Sequence, residues 1–217
     1  MTHRPARGTR GCADVSSPRR RGSSDLVLAP SELTLGILAG GRASRLGGRD
    51  KAWLQRDGVP QILRIARRFN GECATVQVSA NRELPRYGEH GLVAIEDRIA
   101  DMGPLGGIDA LASACTTPWL LTLPVDIVDT NDCLLRTLAN ANADGAVAED
   151  DDGLQPLVAL YRVAPLHDAV AAAIAANDFS VQAMQARMRL PRVRFNGLRF
   201  GNLNTPDDLR LAGYADD

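Results

Sequence analysis

A chain of 217 residues is long enough for one domain with a sizeable core, and its 45% hydrophobic and 24% charged residues are ordinary for a soluble globular protein. No apolar run approaches the roughly 18 residues that would span a bilayer, since even the alanine-rich stretch 164–176 is broken by His167 and Asp168. The net charge of −1 is unevenly placed: six arginines face only Asp14 and Asp25 in residues 1–31, a surplus of four that leaves residues 32–217 at −5, and an acidic body without a basic stripe argues against nucleic-acid binding.

Residues 1–31 are rich in Arg, Ser, Gly and Pro and lack apolar periodicity, so they are expected to form a disordered arm ahead of one domain over residues 32–217. The arm has no apolar core of a secretory signal. Its Arg- and Ser-rich, acid-poor character superficially matches an organelle transit peptide, but a plain solvated tail or an upstream-extended start is the preferred reading. From Thr34 onward short apolar runs alternate with helical patterns. A buried strand over 34–38 enters a glycine-rich turn, and apolar residues at Ile62, Leu63, Ile65, Ala66 and Phe69 mark one face of a helix over 60–69. Strands over 75–79 and 92–95, a helix over 105–114, a strand over 119–123, a helix over 131–141 and a strand over 146–149 follow. The acidic turn Asp150 to Gly153 suits a hairpin into a strand over 156–161. Helices over 165–176 and 181–188, a strand near Val193, and a last helix capped by Thr205 with Pro206 at its first position complete the chain. This alternation predicts a three-layer α/β, Rossmann-like fold with a mostly parallel sheet, which binds ligands at the carboxyl ends of its strands.

Four cysteines (Cys12, Cys73, Cys115, Cys133) show no C-x-x-C spacing and three histidines are scattered, which excludes a structural zinc site. Read as free thiols, the cysteines suggest a reducing cytoplasm.

The glycine-rich turn runs from Leu38, Ala39, Gly40 and Gly41 through Arg45, Gly47 and Gly48 to Lys51, the only lysine among 25 Lys+Arg residues. An ammonium is a compact charge on a flexible stem, suited to reaching phosphate oxygens while backbone N–H groups cradle the rest. It is not a Walker A loop, because Asp50 precedes Lys51 and Ala52 follows it, and the G-x-G-x-x-G dinucleotide fingerprint is absent. Arg45 and Lys51 supply cations where charge grows on a reacting phosphate and its leaving group. Asp126 ends the apolar run Trp119 to Pro124, so its carboxylate is expected at the carboxyl edge of the sheet, where Mg²⁺ takes one or two protein carboxylates together with phosphate oxygens and water. Asp97 is a second edge carboxylate.

The string L-A-G-G-x-x-x-R-L-G-G-x-D-K after a first strand, followed in order by Ile95-Glu96-Asp97, Gly103 to Gly107, Leu123 to Asp126, Gln155 to Tyr161 and Asn202 to Leu209, resembles the molybdenum cofactor guanylyltransferase family over about residues 34–213. The resemblance implies a nucleotidyltransferase that moves GMP from GTP to the terminal phosphate of molybdenum-molybdopterin and releases pyrophosphate, with Mg²⁺ at Asp126. It implies catalytic roles for Arg45, Lys51 and Asp126, and nucleotide contacts from Leu38, Ala39, Gly40, Gly41, Lys51, Ser79, Asn81, Asp97 and Asp126. Asn202 and Asn204 match paired asparagines that support the acceptor or the metal. Molybdoenzymes or their chaperones are implied as further partners, and a monomer is expected. The chain departs from the family pattern at Ser79, Val125 and Val128. The alternatives are a CTP-using or other-acceptor nucleotidyltransferase, or a catalytically silent nucleotide-binding relative.

Overall fold

The computed structural model describes residues 28–40, 50–141 and 144–214. Strand β1 (Leu33–Leu38) is buried along its whole length, as expected of a central strand covered on both faces. A β2–β3 ribbon (Gln55–Arg56 and Val59–Pro60) follows, and its Asp57-Gly58 turn has positive φ at both residues (55° and 70°), the backbone that an Asp-Gly pair favours. Then come α1 (Gln61–Arg68), β4 (Thr75–Ser79), α2 (Leu84–Glu89), β5 (Val93–Ile95), α3 (Pro104–Ala114), β6 (Trp119–Pro124) and α4 (Leu134–Ala139). The chain continues through β7 (Gly145–Asp150), β8 (Gly153–Arg162), α5 (Val163–Ala175), α6 (Val181–Arg187), β9 (Arg192–Arg194) and α7 (Pro206–Leu211).

Seven strands form one sheet in the order β5-β4-β1-β6-β8-β7-β9. Pairing is parallel from β5 to β6 and between β7 and β9, and antiparallel only where β8 meets β6 and β7. Alternation along the strands sends Leu33, Leu35, Ile37, Leu121 and Leu123 to one face, against Ile62 and Ile65 of α1 and Leu134 and Leu138 of α4. Leu38, Leu120, Val147 and Tyr161 face the other way, against α3, α5 and α6. Each fully buried leucine or isoleucine in these layers contributes about 1.5–3 kcal/mol, so the three-layer arrangement is the core itself. A small third cluster of Leu54, Leu203, Leu209 and Tyr214 fastens the C-terminal segment to the turn that follows Lys51.

The expected elements are present, with local differences. The helix expected over 131–141 is confined to α4, because the Asn131 side chain accepts the Cys133 N–H (3.2 Å) and holds the preceding residues in a turn. Helix α2 was not expected from the sequence: Pro85 and Gly88 interrupt its pattern, and the buried Tyr87 is its anchor. Of the segment assigned to the arm, residues 1–27 lie outside the described residues; Leu28 packs against the first core layer, and Pro30–Glu32 form a 3-10 turn. Cys73 and Cys115 are free thiols, as expected, and Cys12 lies outside the described residues. Among the described residues no helix is long and apolar enough to cross a membrane.

Candidate active site

The chain leaves β1 between the ends of its two neighbours. The Ala39 N–H donates to the Ser79 carbonyl at the end of β4 (2.9 Å), and the Val125 N–H beyond β6 donates to the Leu38 carbonyl (3.0 Å). The turn therefore opens at the carboxyl edge, where β4 and β5 lie to one side of β1 and β6 to the other. That switch in strand order leaves a crevice in open parallel sheets. Gly41, Arg45, Gly47 and Gly48 lie outside the described residues. A Cβ at Gly40 would meet Ser79 Oγ and Asn81 Nδ2 at ordinary van der Waals distance, 3.8 and 3.9 Å.

The chain resumes at Asp50, whose Oδ1 accepts the Ala52 N–H (2.9 Å) and starts a 3-10 turn over Lys51–Trp53. Burial pushes the Asp50 carboxyl above its ordinary value, partly countered by that hydrogen bond. The turn delivers Lys51 to two oxygens from distant parts of the chain. Its Nζ donates to Asp126 Oδ2 at 2.9 Å and to Asn204 Oδ1 at 2.7 Å. Lys51 and Asp126 keep 25% and 20% of their side-chain surface exposed, so the pair is reachable from solvent. The Leu203 N–H donates to the Asp126 carbonyl (3.2 Å), which places Asn204 beside the carboxylate. Asn202 lies exposed.

A second cluster forms on the other side of β1. The Asn81 amide embraces Asp97: Nδ2 donates to Oδ2 (2.8 Å), and Oδ1 accepts the Asp97 N–H (2.9 Å). Ser79 Oγ donates to Asp97 Oδ1 at 3.4 Å. Helix α3 begins against this cluster. Gly103, with φ 58° and ψ −145°, takes a backbone conformation that a side chain resists. A Cβ at Gly107 would stand 2.6 Å from Ser79 Oγ and 2.8 Å from Leu38 Cδ2, so glycine there allows the helix to close onto the strand ends.

Asp150 was missed from sequence, where it passed for an ordinary turn acid. It is fully buried and accepts from the Asp152 N–H (2.9 Å), Gln155 Nε2 (3.0 Å) and the Phe200 N–H (2.8 Å). The Phe200 carbonyl in turn accepts the N–H groups of Val128 (2.8 Å) and Asp129 (3.1 Å). The β7–β8 hairpin thus braces both the turn after Asp126 and the segment leading to Asn204. The acidic run gave no signal for this, since nothing local distinguishes a buried carboxylate from a solvated one.

One carboxylate and one amide oxygen converging on a single cationic position form an all-oxygen donor set. That set suits a hard divalent ion completed by phosphate oxygens and water. Among the described residues no three His, Cys, Asp or Glu side chains converge to hold a metal, so phosphate oxygens would have to complete any such site.

A family model described as a MobA-like NTP transferase domain matches residues 35–190. A molybdenum cofactor guanylyltransferase of Cupriavidus necator is 34% identical over 195 residues, covering 85% of this chain and 98% of that protein. A protein of the same name from Photobacterium profundum is 34% identical over 187 residues, covering 82% and 94%. Among solved structures, molybdopterin-guanine dinucleotide biosynthesis protein A of Archaeoglobus fulgidus shares the fold, with a TM-score of 0.62 at 22% identity over 83% of this chain and 96% of that one. So does 2-C-methyl-D-erythritol 4-phosphate cytidylyltransferase of Thermus thermophilus, with a TM-score of 0.62 at 17% identity over 82% and 96%. By the matching model and by the identity shared along nearly the full length of its relatives, the chain belongs to the MobA-like NTP transferase family and is a nucleotidyltransferase related to the molybdenum cofactor guanylyltransferases.

Proposed function

We propose that the protein transfers GMP from GTP to the terminal phosphate of molybdenum-molybdopterin, giving the guanine dinucleotide and pyrophosphate. The observation that carries this reading is the meeting of Lys51, Asp126 and Asn204 at the edge where the glycine-rich turn opens. The relatives named for this activity support it. An oxygen of the acceptor phosphate attacks the α-phosphorus in line, and the bond from that phosphorus to the bridging oxygen breaks. Pyrophosphate leaves with the electron pair. No covalent enzyme intermediate is needed, so the residues serve to position and to neutralise charge. Lys51 neutralises charge on the phosphates as the bond breaks, with Arg45 assigned the same task by its place in the motif. Asp126 and Asn204 would hold Mg²⁺ once the phosphates draw Lys51 away from them, and the ion would supply Lewis-acid neutralisation of the phosphate oxygens. Asp97, held by Asn81 and Ser79, is assigned to the nucleoside, and Leu38, Ala39 and Gly40 to the phosphates, with Gly41 assigned there by its place in the motif alone. We assign the protein to the cytoplasm, a reading that rests on its free thiols.

The test is pyrophosphate release from GTP and from CTP with molybdenum-molybdopterin as acceptor, in the wild type and in Asp126→Asn. GTP should be strongly preferred, and Asp126→Asn should be nearly inactive even at saturating GTP, since asparagine keeps the shape and loses the charge. Preferential use of CTP would redirect the substrate assignment. Wild-type turnover and an unchanged Mg²⁺ requirement in Asp126→Asn would remove that residue from the metal site.

A further inference from the structure

Gln61 opens α1 at a position that is 2% exposed, directly beside the core residue Ile62. A primary amide in such a place is costly unless all of its groups are paired. Here they are, and the partners form a pattern. Nε2 donates to the Val125 carbonyl (3.0 Å) and to the Ile127 carbonyl (2.6 Å), the two residues that flank Asp126. Both amide hydrogens are therefore spent on the turn that presents one carboxylate. Val125 and Ile127 are themselves buried, at 6% and 3% exposed, so water is poorly placed to replace the amide.

The third partner comes from the end of the chain. The Tyr214 hydroxyl donates to Gln61 Oε1. Burial pushes this phenol upward, so it stays protonated and able to donate. Tyr214 is 4% exposed, packs with Leu203 and Leu209, and closes α7 by donating its N–H to the Leu209 carbonyl (2.8 Å). Leu203 precedes Asn204, the second oxygen donor beside Lys51. One buried amide thus joins the turn carrying Asp126 to the packed segment carrying Asn204.

We propose that Gln61 is a positioning residue for the metal–nucleotide site, locked by Tyr214 and setting the relative placement of Asp126 and Asn204. The inference rests on the reading of Asp126 as the metal carboxylate. Partners that orient metal ligands without touching the ion typically change metal affinity when replaced, and a residue that only filled core volume would not.

The experiment titrates Mn²⁺ into the full chain with a GTP analogue bearing a methylene bridge between the α- and β-phosphorus, reading bound Mn²⁺ by electron paramagnetic resonance. Gln61→Met keeps the volume and removes both donors. It should bind Mn²⁺ about 10–100-fold more weakly, while metal-free affinity for the analogue stays near that of the wild type. Wild-type Mn²⁺ affinity in folded Gln61→Met overturns the proposal, even if its melting temperature has fallen. Should Gln61→Met fail to fold, Tyr214→Phe decides, because it retains the amide and removes only the lock. Weaker Mn²⁺ binding there supports the proposal and unchanged binding overturns it. Asp126→Asn run in parallel separates the two levels: if it retains wild-type Mn²⁺ affinity, the metal assignment itself fails. If it loses Mn²⁺ while Gln61→Met does not, only the positioning role fails.

Discussion

The proposed role of Lys51 separates function from folding at a single side chain. Its ion pair with Asp126 keeps 25% and 20% of the two side chains exposed, enough for water to solvate the carboxylate when the ammonium is removed. Loss of one preorganised charge contact in a transition state costs about 2.7–4 kcal/mol. Lys51→Ala should therefore lose most pyrophosphate release while melting within a few degrees of the wild type. Near-normal turnover in a folded variant would remove the lysine from the mechanism. The position was legible in the sequence because the chain has no other lysine. Asn204 was legible as a candidate, but its contact with Lys51 spans 153 residues and no local pattern encodes it. Gln61 passed unnoticed for the same reason, since its partners lie 64, 66 and 153 residues away.

At the scale of elements, the β7–β8 hairpin supports the site from a distance. Removing the Asp150 carboxylate leaves the buried Phe200 N–H without its acceptor, and an unsatisfied buried donor costs about 1–3 kcal/mol. Asp150→Ala should lower the free energy of urea unfolding by at least that amount. It should also raise the GTP concentration needed for half-maximal turnover, because the Phe200 carbonyl holds Val128 and Asp129 just beyond Asp126. A variant that lost stability but kept wild-type nucleotide dependence would confine Asp150 to the fold. The helices and strands were readable from periodicity where they bury a continuous face, as in β1, β6 and α5. Helix α2 was not, because its stability comes from Tyr87 packing against Trp53 (ring centroids 4.9 Å apart) rather than from an apolar stripe of its own.

For the whole molecule, the buried phenols Tyr87, Tyr161 and Tyr214 couple folding to alkaline pH. Burial pushes Tyr87 and Tyr161 well above their ordinary value of 10.0, opposed at Tyr161 by its hydrogen bond with Gln185. Their folded pKa values exceed the unfolded ones, so the stability they contribute is complete below about pH 10 and is lost as the pH rises beyond it. Melting temperature should hold across neutral pH and fall above about pH 10, with the fall reduced in Tyr161→Phe. An unchanged alkaline slope in that variant would show that Tyr161 does not govern it.

By itself the sequence determined the class of fold and the family, and it singled out the charged residues to look for at the carboxyl edge of the sheet. Alternating apolar periods dictate layers, and a glycine-rich turn ending in a lone lysine keeps its meaning wherever the chain goes. Only the tertiary structure decided that Lys51 meets Asp126 and Asn204, that Asp97 is embraced by Asn81, and that Gln61 and Asp150 brace these groups from beneath. The physical reason is one of range. Local propensity and hydrophobic period act over a few residues, whereas a buried hydrogen bond is satisfied by whichever group the packed sheet brings within 3 Å, however far away in the chain that group lies.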